Sequence, residues 1–226
     1  RKIYEGNQDI VNVFSNAPVI EYPDEIAVAG APDRSLIGTN SLEALNASYE
    51  AGYRDIKIRV CWTEDKEAVL LSSWEELGKY YDTDQSREVT LDVFHNLTMK
   101  NGLTSMDFLD LIVWVRDHPD VSVVVQAERS PDYFMKCMDS YAGSILGQFV
   151  TEVPGMVEYS GLYPSILNID AGGNTVDQLL EFIELNDVAA VSMSKAAADG
   201  AYKKILKADC ISYIDDEENG LLIRKN

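Results

Sequence analysis

Histidine is almost absent, because the 226 residues hold only His95 and His118. That scarcity limits any chemistry that needs a group titrating near neutral pH, which imidazole supplies most readily. Cysteine is nearly as scarce. Cys61, Cys137 and Cys210 are far apart and lack the C-x-x-C spacing of a zinc or redox centre, so structural thiols are expected. Basic residues are outnumbered, with 19 Lys and Arg against 38 Asp and Glu. The formal net charge of −19 argues against nucleic acid or an anionic membrane surface as a partner. No stretch reaches the ~18 consecutive apolar residues of a membrane span, and no signal-like segment is present. The chain starts at Arg1 rather than Met, which is compatible with a removed leader or a membrane anchor outside this chain. The compartment stays open, with an extracytoplasmic or cell-envelope location favoured.

What is present is ordinary globular material, 46% apolar, in a length that suits one barrel-sized domain or two small ones. Its organising stretch runs from Ile26 to Trp74 and reads strand, turn, helix, strand, hairpin. Asn40 and Glu43 have the spacing of a capping box, Leu42, Leu45 and Tyr49 follow at helical period, and Gly52 is placed to end a helix of about three turns. In the next strand Ile56, Ile58 and Val60 alternate with Lys57, Arg59 and Cys61. One face is therefore apolar and the other carries two cations. In a closed parallel barrel an inward face is polar only near its mouth, which makes Lys57 and Arg59 candidates for that mouth.

This stretch resembles the opening of the glycerophosphodiester phosphodiesterase family, whose pattern runs H-R-G or H-A-G, a loop, E/T-N-S/T-L-E-A, a helix ending in Gly, E-x-D, T-x-D-G and a hairpin strand ending in H-D. The resemblance implies a distorted parallel (β/α)8 barrel of the phospholipase-C-like type, from the bacterial and lipid-metabolising part of that fold. In the family two His act as general acid and base, and the Glu and Asp of E-x-D hold Mg or Ca. Here the frame is kept and the chemistry is not. Val28 stands at the first His, Lys57 and Arg59 at E-x-D, and Ser72 and Ser73 at H-D. Ala127 falls where relatives carry a further metal carboxylate, with Arg129 at their lysine. Gly30, Asn40, Ser41, Leu42, Glu43, Ala44, Gly52, Thr63 and Asp65 are retained. Asn40 and, in the later GQFVTEV stretch, Gln148 join Lys57, Arg59 and Arg129 as ligand-binding candidates. The resemblance thus implies no catalytic residue and no metal at the usual positions.

Residues 1–24 read as an N-terminal extension, and 25–226 as the barrel with an insertion at about 75–103. Beyond the opening, a helix is expected over Leu103 to His118, capped by Thr104 or Ser105. A helix is also expected over Pro131 to Ala142. Strands are expected near 26–30, 55–60, 121–127, 145–150, 165–170, 188–193 and 210–215, with a hairpin at 68–72 and a truncated last strand in NGLLIRKN. Thr175 should cap a helix after the AGGN turn, which lacks the spacing and the Lys of a phosphate loop. His118 is expected at the barrel's bottom in a structural role, and His95 in the insertion.

Charges inside a barrel must be paired. Lys57, Arg59 and Arg129 are expected either to pair with Glu152, Asp170, Asp215 or Asp216, or to clamp a small anionic ligand. Three functions follow from the residues. They are a binding or scaffolding domain that has lost metal-dependent hydrolysis, an active phosphodiesterase with a relocated site, and a metal-free pocket for a phosphorylated or carboxylated ligand. The partner would accordingly be a small anion or another protein.

Overall fold

The computed structural model describes residues 22–127 and 131–226. Nine strands form one sheet: β1 (Glu25–Val28), β2 (Asp55–Trp62), β3 (Ala68–Leu70), β4 (Ser122–Ala127), β5 (Phe149–Pro154), β6 (Ser165–Asn168), β7 (Ala190–Ser194), β8 (Ile211–Asp216) and β9 (Leu221–Arg224). The order is β1-β9-β8-β7-β6-β5-β4-β2-β3, and a further β1–β2 pairing closes it into a barrel. Eight strands make the ring, while β3 folds back on β2 as a hairpin outside it. β9 runs antiparallel to both of its neighbours, and the other ring strands run parallel. This is a distorted, mostly parallel (β/α)8 barrel.

The helices are α1 (Leu42–Glu50), α2 (Leu77–Tyr80), α3 (Leu91–His95), α4 (Phe108–Asp117), α5 (Pro131–Ala142), α6 (Val176–Leu185) and α7 (Lys195–Asp199). Between β5 and β6 a single 3-10 turn, Met156–Glu158, replaces a full helix. That economy fits a barrel into a short chain. Outside the ring, Ile56, Ile58 and Val60 pack with Leu111, Ile112 and Val115 of α4, as the alternation of β2 requires. Inside the ring, Ile26, Val124, Val150, Ile166, Ala190, Tyr213 and Leu222 form a separate cluster with one residue from each of the eight ring strands except β2. β2 contributes a buried lysine instead. No helix among the described residues is long and apolar enough to cross a membrane.

Several local expectations are corrected. The N-cap of α1 is Ser41, whose hydroxyl accepts from the Ala44 amide, not Asn40. Glu43 does not close a capping box, because its carboxylate accepts from the Thr104 amide and hydroxyl. That bond ties up Thr104, and α4 starts later, capped by Asp107 in a capping box with Asp110. β5 begins at Phe149 rather than Ile145, because residues 143–148 form a 3-10 turn that buries Ile145 and Leu146. A short apolar run satisfies a turn and a strand equally well. Thr175 does cap α6, in a capping box with Gln178.

The segment between Trp74 and Leu103 holds α2, α3 and a 3-10 turn, and has its own core of Trp74, Leu77, Tyr81, Phe94 and Met99. A cavity of about 640 Å³ opens beside it, lined by Glu64, Trp74, Glu75, Arg87 and Glu88 among others. None of the barrel-mouth residues lines that cavity.

Candidate functional site

The C-terminal ends of the parallel strands converge on a mouth, where a barrel of this kind places its site. Two residues separate successive inward positions on β2, so Lys57 lies deeper and Arg59 nearer the rim. Lys57 is buried, and its Nζ lies 2.6 Å from Glu152 Oε2. The other carboxylate oxygen, Oε1, accepts a 2.6 Å hydrogen bond from Ser192 Oγ on β7. The ammonium approaches Oε2 off the hydrogen-bonding direction, so Oε2 has the charge beside it without an aligned donor. A lysine, a glutamate and a serine from three strands thus form a polar layer next to the apolar cluster of the barrel interior.

Arg59 behaves differently from the expectation that it would point inward to a carboxylate. It is exposed, and its Nε donates to Gln126 Oε1 at 3.0 Å. Near the strand's end the side chain reaches solvent, so a neutral amide suffices as its partner. Gln126 was not among the sequence candidates, although it lies two residues beyond Val124 on the same inward face. Asp215 on β8 is half-buried; desolvation pushes its carboxyl up, and the charges of Lys57 and Arg59 act the other way. Among the described residues, Glu152 is the one sequence-named carboxylate that pairs directly with a candidate cation. Asp170 accepts from the Ser194 amide, and Asp216 from Asn219.

The remaining candidates take structural roles. Val28 sits in register with Lys57 and packs against the interior cluster. Asn40 has a left-handed backbone (φ 50°), accepts from the Arg59 amide and donates to Ser72 Oγ and the Gly38 carbonyl. It therefore positions β2 and the hairpin end rather than capping a helix. Ser72 Oγ donates to the Gly38 carbonyl, and Ser73 Oγ accepts from the Glu76 amide. Ala127 is buried beside Val60. Gln148 is corrected: its amide donates to the carbonyls of His118 and Val121, at the end of the barrel where β4 begins, away from the mouth. Arg129 and Glu128 lie outside the described residues. Gly30 is required by its φ of 106° and by the Leu36 backbone, which a Cβ would meet at 2.5 Å.

Neither histidine faces the mouth. His118 Nδ1 contacts the Trp114 carbonyl at 2.6 Å, and the ring stacks on Trp114. His95 Nε2 lies 2.9 Å from Asp107 Oδ2, on the residue that caps α4. Among the described residues no three His, Cys, Asp or Glu side chains converge as a metal site. The residues present do not fit a divalent ion at the E-x-D positions. Such an ion needs several converging oxygens, whereas an ammonium already sits against Glu152, the one buried carboxylate among the described residues.

The mostly parallel ring with its outer hairpin defines a distorted (β/α)8 barrel. Solved structures agree. A putative glycerophosphoryl diester phosphodiesterase from Agrobacterium tumefaciens matches with a TM-score of 0.66 at 12% identity, over 84% of this chain and 83% of that one. The glycerophosphodiester phosphodiesterase of Thermotoga maritima matches with a TM-score of 0.65 at 15% identity, over 88% and 90%. A phosphodiesterase of Oleispira antarctica, solved with the product sn-glycerol-3-phosphate, matches with a TM-score of 0.58 at 15% identity, over 92% and 89%. No protein-family model matches the chain, and no curated protein matches it either. The chain has the glycerophosphodiester phosphodiesterase fold.

Proposed function

We propose that this barrel is a phosphodiesterase-like binding or scaffolding domain that does not carry out metal-dependent phosphodiester hydrolysis. The observation that supports the reading is the Lys57–Glu152 ion pair, which holds a fixed cation at the position that the sequence resemblance aligns with a metal carboxylate. Hydrolysis would also need a proton shuttle. The two imidazoles are engaged elsewhere, one against a helix cap and one against a backbone carbonyl. A metal-free pocket for a phosphorylated or carboxylated ligand is the second reading, and Arg59 favours it because only its Nε is occupied among the described residues.

The test is release of glycerol phosphate from glycerophosphodiesters by purified protein, with Mg or Ca and with a chelator. We expect no metal-dependent release. Release that depends on metal and is abolished by Glu152→Gln would overturn the reading.

A further inference from the structure

Two opposite charges at the mouth do not pair with each other. Arg59 on β2 and Asp215 on β8 lie near the C-terminal ends of strands separated by β1 and β9 in the ring. The charges of Lys57 and, less strongly, Arg59 favour the ionised Asp215, yet no ion pair within 4.0 Å joins Arg59 to Asp215 among the described residues. A guanidinium carries five N–H donors; Arg59 spends its Nε–H on Gln126, and no described residue takes the other four. Asp215 is half-buried and accepts no hydrogen bond from a described residue. A carboxylate withdrawn from water without a donor is costly, and an open guanidinium fork favours a planar anion.

Building on the mouth as a ligand pocket rather than a hydrolytic site, we propose that it binds a small zwitterion, with an anionic group on Arg59 and a primary ammonium on Asp215. The polar layer supports this class of ligand. Lys57 is paired with Glu152, so among the described inward-facing residues Arg59 and Asp215 are charges without an ion-pair partner, and together they carry no net charge. A simple anion would answer Arg59 and be repelled by Asp215. A simple amine would do the reverse. A quaternary ammonium supplies charge without N–H donors, which leaves the carboxylate's hydrogen-bonding need unmet. The anion can be a carboxylate or a phosphate, since the fork fits both.

The experiment is calorimetric titration of the purified protein with β-alanine, γ-aminobutyrate and ethanolamine phosphate, and with the half-ligands butyrate, inorganic phosphate and propylamine. We expect at least one zwitterion to bind more tightly than every half-ligand by about tenfold or more, equivalent to about 1.4 kcal/mol. Amino acids binding in preference to ethanolamine phosphate would assign a carboxylate as the anion, and the reverse order a phosphate. Asp215→Asn should weaken the zwitterion about tenfold while leaving butyrate and phosphate unchanged or tighter. Arg59→Met should remove binding, and Arg59→Lys, which keeps the charge and loses the fork, should restore part of it. Butyrate or phosphate binding as tightly as the zwitterions, an Asp215→Asn variant with unaltered affinity, or no zwitterion binding at all would overturn the proposal. Hydrolysis assayed on the same samples separates the two claims. Glycerophosphodiester cleavage would overturn the binding-domain reading, whereas absence of both cleavage and zwitterion binding would overturn only the ligand assignment.

Discussion

Lys57 and Glu152 expose 3% and 1% of their side chains, so either one alone would be a buried charge without a counter-charge. Lys57→Met should therefore cost about 3–5 kcal/mol in a urea melt. The double variant Lys57→Met, Glu152→Met should cost much less, because it removes both desolvated charges and leaves apolar volume. A double variant as unstable as the single would show that the pair contributes through packing instead. Asp55, at the start of the same strand, carries a carboxyl that burial pushes up from 3.8 to about 6. Its folded pKa exceeds its unfolded one, so the folded state binds more protons in that window, and this residue's contribution to stability falls as pH rises from 3.8 to about 6. Asp55→Asn should be more stable than the parent at neutral pH and should flatten that part of the profile, as thermal melts across the window would show. At this scale the sequence was informative about direction and less so about partners. Alternation along β2 placed Lys57 inside, and Glu152 was one of four carboxylates that could meet it. It could not show that Arg59, two residues nearer the rim, would turn to Gln126, because the choice depends on how far the strand extends into solvent.

At the scale of elements, α1 shows why a cap motif needs its surroundings. Asn40 and Ser41 are both good caps by type, and only the tertiary demand on Asn40 decides between them. Its side chain bridges Arg59 and Ser72, joining β2 to the end of the hairpin, while Ser41 closes the helix. Ser41→Ala should cost about 1 kcal/mol. Asn40→Ala should cost more, on the order of 2–4 kcal/mol, since it strips an amide acceptor and places alanine at a left-handed φ. Chemical denaturation of the two variants checks the order, and equal losses would refute the bridging role. The late start of α4 and of β5 has the same kind of cause. Thr104 answers Glu43 from a distant part of the chain, and Ile145 and Leu146 reach the core through a turn, neither of which local periodicity encodes.

Across the whole molecule, the frame was legible because its parts are local: a helix start, an alternating strand, a hairpin and a run of β-branched residues each declare themselves over a few positions. Closure was less so. β9 enters antiparallel between β1 and β8 and completes the ring in place of a parallel eighth strand, a choice that only long-range pairing settles. The retained residues of the fold share this structural character. Gly30 admits the Leu36 backbone, Thr63 and Asp65 bind backbone amides of the hairpin turn and α3, and Ser41 caps α1. On the proposed reading, Lys57 would stand as a covalently attached cation in place of a mobile one. The most direct test is a thermal melt of the wild-type protein titrated with Mg or Ca against a chelator. A protein whose internal ammonium takes the metal's place should show no saturable rise in Tm with either ion. A saturable rise that is lost in Glu152→Gln would contradict the account, because it would mean that Glu152 holds a metal after all.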